Sequence, residues 1–144
     1  SVFVFHKNKI LLQRRALEKY HTPGLWANTC CTHPYWNESN SDCANRRLFE
    51  ELHLTDLTLE NRGKIEYRAD VGQGLIEHEI VEIFTTTCSS LPKVIPNPEE
   101  VMEVKWLDQI ELANKVKTNP DEFTPWLRIY MLKHFEQISG TITA

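Results

Sequence analysis

Seven consecutive residues, Asn28-Thr29-Cys30-Cys31-Thr32-His33-Pro34, place two thiols and an imidazole in one short stretch. A charged run follows: Glu38 precedes Arg46 by eight positions, and Arg47-Leu48-Phe49-Glu50-Glu51-Leu52-His53-Leu54 comes next. On a helix, residues three and four apart share a face, so Arg46 with Glu50 and Arg47 with Glu51 form two adjacent ridges. Carboxylates so placed can hold Mg²⁺, a hard cation that prefers oxygen ligands and bridges to phosphates. Taken alone, Arg-Arg-x-x-Glu-Glu is more often a solvated face laced with ion pairs. Its register with Glu38 and with the thiol–imidazole stretch reverses that balance. A third group is Ile76-Glu77-His78-Glu79-Ile80. Glu77 and Glu79 lie two apart on a strand and face the same side, with His78 opposite and structural. Two acids on one face among Leu75, Ile76, Ile80 and Ile83 cost free energy unless paired or metal-bound.

A free Cys is most often a small buried hydrophobe. Alternation sends Cys30 into the core and leaves Cys31 facing the charged groups, where nearby cations would favour a thiolate able to exchange protons with carbon. A structural zinc site on Cys30, Cys31 and His33 does not fit, because adjacent ligands cannot take the usual tetrahedral spacing.

Composition narrows the class. Sixteen Lys and Arg against 20 Asp and Glu leave a net charge of −4, which excludes nucleic-acid binding driven by bulk charge. An anionic ligand must be met by a local cluster of cations. The four cysteines contain no Cys-x-x-Cys pair and read as free thiols of a reducing compartment. There is no membrane-spanning run and no signal-peptide core, so a cytoplasmic protein is expected. At 144 residues the chain can bury roughly 68–70% of its unfolded surface, enough for one good core.

The elements that must position these groups follow from periodicity. Residues 1–5 and 10–14 flank the turn His6-Lys7-Asn8-Lys9 as a β-hairpin. The segment 37–42 is rich in capping residues, and Cys43 to Leu54 has helical spacing. Lys64 to Ala69 and Leu75 to Thr86 read as strands joined by Asp70-Val71-Gly72-Gln73-Gly74. Glu103 to Leu107 is a further strand, and Asp108 caps a helix through Lys117. Thr124-Pro125-Trp126 starts a final helix to about Ile138, with Pro at its first position. The expectation is one α/β (α+β) domain over 1–144, a mixed sheet sandwiched between helices.

Glu38, Arg46 and the residues up to Leu54 resemble the Nudix box, G-x5-E-x7-R-E-U-x-E-E-x-G-U with U aliphatic. Thr32 stands at the first Gly, Arg47 at the second Glu and His53 at the last Gly. Arg47 replaces a metal ligand of Nudix hydrolases with a planar donor suited to phosphate oxygens. With the Cys-x-His-Pro in front, the chain resembles the type I isopentenyl-diphosphate isomerases from Ser1 through the final helix. That resemblance implies a Nudix-like fold and interconversion of isopentenyl and dimethylallyl diphosphate through a tertiary carbocation, for isoprenoid biosynthesis. It implies Cys31 and Glu79 as proton-transfer groups, Tyr67 as the partner of Glu79, and Trp126 as the π face over the hydrocarbon. In the forward direction Glu79 would protonate and Cys31 deprotonate. Arg15, Lys19 and Arg47 would grip the diphosphate, while Arg14 reads as a snorkelling cation at a strand end.

Glu51 would bind the Mg²⁺ that accompanies the diphosphate. His33, Glu77 and Glu79 would hold a second divalent metal (Mg²⁺, Mn²⁺ or Zn²⁺). In that family an upstream segment carries two metal-binding histidines and a diphosphate-contacting Lys, so the chain reads as short at its N-terminus. The expected partner is a small prenyl diphosphate, with no nucleic acid, no membrane span and a monomeric state. A Nudix hydrolase of a nucleoside diphosphate derivative, or a non-catalytic diphosphate-binding module, is the alternative.

Overall fold

The computed structural model describes residues 1–140. The chain runs β1 (Val2–His6), β2 (Lys9–Arg15), β3 (Trp26–Ala27), α1 (Asn40–Leu52), β4 (Glu60–Gly72), β5 (Leu75–Cys88), β6 (Val101–Asp108), α2 (Gln109–Thr118), α3 (Pro125–Lys133) and α4 (Phe135–Ser139). The six strands form one mixed sheet. β1 is parallel to β5 and antiparallel to β2, and β4 and β5 form a long antiparallel hairpin. β2 pairs with β6 along one edge, and with β1 and then β3 along the other.

Alternation along β1 shows the layering. Phe3 and Phe5 enter a core with Tyr67, Leu112, Trp126 and Tyr130, whereas Val2 and Val4 enter a second core with Leu48, Leu52 and Leu54. Helices α2, α3 and α4 therefore cover one face of the sheet and α1 the other, the expected sandwich. A one-residue slip of β1 would exchange its two sets of side chains. Each fully buried Phe or Val contributes about 1.5–3 kcal/mol, so the register is strongly held.

Several boundaries differ from the sequence expectation. β4 extends past both expected ends, absorbing Asp70, Val71 and Gly72, and β5 starts at Leu75 as expected but runs on to Cys88, because the turn itself needs only Gln73 and Gly74, both at positive φ. The last helix is two, broken at His134 (φ −131°, ψ 11°). The two-residue strand β3 and a 3-10 turn at Pro120–Glu122 were not expected. Helix α1 begins earlier, at Asn40, with Ser39 accepting from the Asp42 N–H at 3.0 Å. It ends on His53 in the left-handed region (φ 56°), the conformation that makes Gly the usual residue there. The imidazole Nδ1 of His53 meets the Ile95 carbonyl at 2.6 Å, which offsets part of the strain.

Candidate active site

Three cations converge from β2, the loop that follows it and α1. A bulge between Arg14 and Arg15 at the end of β2 divides the pair. Arg14 runs outward, donating to the Gly24 carbonyl (2.8 Å) and pairing with Glu103 (3.3 Å). Arg15 turns inward, its guanidinium 5.3 Å from the centre of the Trp126 ring and its Nε buried without a partner. Lys19, four residues on, pairs with Glu100. Arg47 projects from α1 to Glu50 and Glu51, each at 2.9 Å, and to Glu100 at 3.5 Å. Arg46 takes the other ridge, gripping Glu38 (2.7 Å) and Glu50 (3.0 Å), and stacks over Tyr35. The two expected ridges are thus present, and only the Arg47–Glu51 ridge reaches the cavity.

That cavity, about 240 Å³, brings together Arg15, Lys19, Arg47, Glu51, Cys31, His33, Glu77 and Trp126. Strands and helix α3 supply its wall. Trp126 is held by a helix start in which Thr124 caps and Pro125 occupies the first position. Its ring is 2% exposed, and its Nε1 is buried without a partner. Arg15 already lies over that ring, so the face expected to cover a hydrocarbon carries a cation in the free protein.

Cys31 accepts a hydrogen bond from the Ser1 hydroxyl at 3.2 Å, and the same hydroxyl meets Tyr130 at 2.8 Å. Burial pushes the Cys31 thiol above its ordinary value, with the nearby Glu79 and Glu77 adding to it and the Ser1 hydroxyl opposing it. Loss of water thus works against the cation-favoured thiolate expected from the sequence. Cys30 is fully buried among Val2, Leu48 and Leu52, as alternation required, with its sulfur 3.4 Å from Glu51.

Glu77 and Glu79 do share a face of β5. The Tyr67 hydroxyl donates to both, at 2.7 Å to Glu77 and 3.4 Å to Glu79. The stronger contact is thus to Glu77, where the expectation was Glu79. Glu79 bonds instead to the His33 Nε2 at 2.6 Å. That bond holds the Glu79 carboxyl below its ordinary value, while burial raises Glu77. Glu79 lines an adjoining hollow of about 230 Å³ that shares only Thr32 and His33 with the cavity of the cations. His78 points to the other side and pairs with Glu66 at 3.0 Å.

The metal expectation fits unevenly. Glu51 is 5% exposed and lies against Gln13 (2.9 Å) and Arg47, so it is a fixed carboxylate at the cavity floor, of the hard oxygen type Mg²⁺ takes. Among the described residues, however, no three His, Cys, Asp or Glu side chains converge on a common point as metal ligands do. The reason is visible at His33, Glu77 and Glu79: they are the right donors, but they are satisfied by each other and by Tyr67. An ion there would have to displace the His33–Glu79 bond.

Four residues at the site escaped the sequence reading. Gln13 orients Glu51; His21 lines the cavity 3.9 Å from Glu77 and edge-on to Trp126; Ser1 touches Cys31; Glu100 binds two of the cations. Their spacing carries no motif. Only folding brings them together.

Residues 1–127 match the NUDIX domain family. The chain is 61% identical over 142 residues to an isopentenyl-diphosphate Delta-isomerase of Dinoroseobacter shibae, covering 99% of this chain and 81% of the relative. It is 57% identical to an enzyme of the same name from Cereibacter sphaeroides, covering 99% and 80%. Among solved structures, the DR0079 protein of Deinococcus radiodurans superposes with a TM-score of 0.75 at 15% identity, covering 91% of this chain and 78% of that one.

Proposed function

The chain belongs to the isopentenyl-diphosphate Delta-isomerase family within the Nudix fold, and on that premise we propose that its cavity interconverts isopentenyl and dimethylallyl diphosphate. One observation carries the assignment of the site: a single cavity combines three cations with a thiol, an indole and the carboxylates of Glu51 and Glu77, and Glu79 lines the hollow that adjoins it at His33. The cations suit a diphosphate, and the remaining groups suit a short hydrocarbon that must gain and lose a proton.

Moving the double bond requires a proton delivered to one alkene carbon and another taken from an allylic carbon. In the forward direction Glu79 gives its proton to the terminal carbon and the Cys31 thiolate removes one from the carbon next to the diphosphate-bearing carbon. The pair ends as carboxylate and thiol, with one proton transferred between them through the substrate. The directions of the two shifts, Cys31 up and Glu79 down, favour the charge state that starts the reverse reaction. Tyr67, bonded to both acids of β5, holds Glu79 in place. The tertiary cation between the two steps is met by the Trp126 face once Arg15, which lies over that ring, turns to the diphosphate, since a desolvated π face stabilises positive charge.

Arg47 is what sets this box apart from a hydrolase. It supplies a donor to the diphosphate where a metal-collecting carboxylate would serve water activation. Glu51 would hold Mg²⁺ with the diphosphate, and His33, Glu77 and Glu79 would take a second divalent ion once their mutual bonds open. Such ions neutralise phosphate charge and polarise bound groups. A cytoplasmic monomer serving isoprenoid biosynthesis completes the reading.

Incubation with isopentenyl diphosphate, with and without chelator and followed by proton NMR in D₂O, tests it. Dimethylallyl diphosphate should form and chelator should suppress it. Release of phosphate from nucleoside diphosphate derivatives instead would make the chain a hydrolase, and diphosphate binding without turnover would make it a binding module.

A further inference from the structure

Glu100 lies outside every motif and outside the lining of the cavity, yet it contacts both elements that deliver the cations. It ends the tight turn Asn97-Pro98-Glu99-Glu100, in which the N–H groups of Glu100 and Val101 both donate to the Asn97 carbonyl, at 3.0 and 2.8 Å. Asn97 docks this turn on the end of α1, its N–H on the Glu51 carbonyl (2.8 Å) and its amide on that of Glu50 (3.4 Å). The Glu100 carbonyl accepts from Ala16 at 3.1 Å, fastening the turn to the loop that begins at Arg15 and carries Lys19. Its carboxylate then shares one oxygen, Oε2, between Lys19 and the Arg47 guanidinium.

We propose that Glu100 is a positioning residue, whose carboxylate holds Lys19 and Arg47 at one place so that the two receive a diphosphate together. The inference rests on the diphosphate reading above. Two cations brought side by side for an anion repel one another when it is absent, and both are long side chains with large rotamer entropy to lose on binding. An anion already seated between them removes the repulsion and restricts the rotamers before ligand arrives, which is preorganisation. The three side chains are each about a fifth to a third exposed, so these ion pairs add little to folding. Their effect falls on binding.

The opposing effect is that Glu100 also repels the diphosphate. Two variants separate the terms. Glu100→Gln keeps the shape and removes the charge; Glu100→Asp keeps the charge but cannot span both cations. If positioning dominates, both should raise KM for isopentenyl diphosphate and the Kd of inorganic diphosphate with Mg²⁺ by about tenfold, with kcat within about twofold and the thermal midpoint unchanged. In a Lys19→Met background, Glu100→Gln should lose most of its effect, because the coupling it reports is gone. Unchanged or tighter diphosphate binding in Glu100→Gln would overturn the proposal. Weakened binding of inorganic diphosphate in a chain that does not isomerise would leave it intact while removing the functional reading. An active parent with an unaffected Glu100→Gln would do the reverse.

Discussion

The side chains of Cys30 and Cys31 leave the backbone in opposite directions, one into the core under α1 and one into the cavity. Replacing Cys31 by Ala should abolish isomerisation with little change in stability, since among the described residues the thiol's hydrogen-bond partner is the Ser1 hydroxyl alone. Cys30→Ala should instead lower stability by on the order of 1 kcal/mol, as small core truncations do, and leave turnover largely in place. Paired assays of activity and thermal midpoint check both, and near-normal turnover in Cys31→Ala would remove it from the mechanism. Arg47 allows a test of a different kind. Arg47→Glu restores a hydrolase-like box but deletes a charge-assisted contact worth about 1.5–3 kcal/mol. Substrate affinity should fall by roughly one to two orders of magnitude. The new carboxylate would also stand among Glu50, Glu51 and Glu100, so the thermal midpoint should drop as well. Calorimetric titration with inorganic diphosphate reads the first effect; unaltered affinity would mean that Arg47 does not touch the ligand.

Each element presents its functional groups through its ends as much as through its faces. Helix α3 is short, and its start fixes Trp126: Thr124, fully buried, accepts from the Leu127 N–H at 3.4 Å while its own N–H bonds to the Trp26 carbonyl at 2.9 Å. Thr124→Ala removes the cap and should cost about 1 kcal/mol of stability. Because the freed first turn carries Trp126, kcat should fall more than KM rises. Thr124→Ser, which keeps the oxygen, should restore both. A Thr124→Ala variant with wild-type turnover would show that the cap does not position the indole. Helix α1 follows the same logic, with Ser39 at one end and His53 at the other aligning the ridge that carries Arg47 and Glu51.

For the whole molecule, the acid limit of stability should depend on the box as well as on the core. The Arg46 guanidinium holds the Glu38 carboxyl at about 2, against an ordinary 4.5. The folded chain therefore binds fewer protons than the unfolded chain between those values. The stabilisation is complete above the ordinary value and disappears as pH falls through the folded one. Glu38→Gln should lower stability at neutral pH and flatten the decline between about pH 4.5 and 2. Thermal melts across that range, compared with the parent, measure it; parallel curves would show that Glu38 contributes nothing. No helix among the described residues is long and apolar enough to cross a membrane.

Local rules made much of this protein readable in one dimension. Period-two and helical patterns, the Pro125 start and the Asp108 cap specify elements because each depends on neighbours within a few residues. The register of Glu38 with Arg46, Arg47 and Glu51, and the parity of Glu77 with Glu79 and of Cys30 against Cys31, follow from the same short-range geometry. Other features depend on groups distant in sequence. The break at His134, the pairing of His33 with Glu79 across 46 positions, and the contact of Glu100 with Lys19 across 81 are set by packing. So is the upward push on the Cys31 thiol, for the sequence places cations nearby but only the fold decides how much water is removed. Desolvation and long-range contact are properties of the assembled sheet and helices, and no spacing along the chain encodes them.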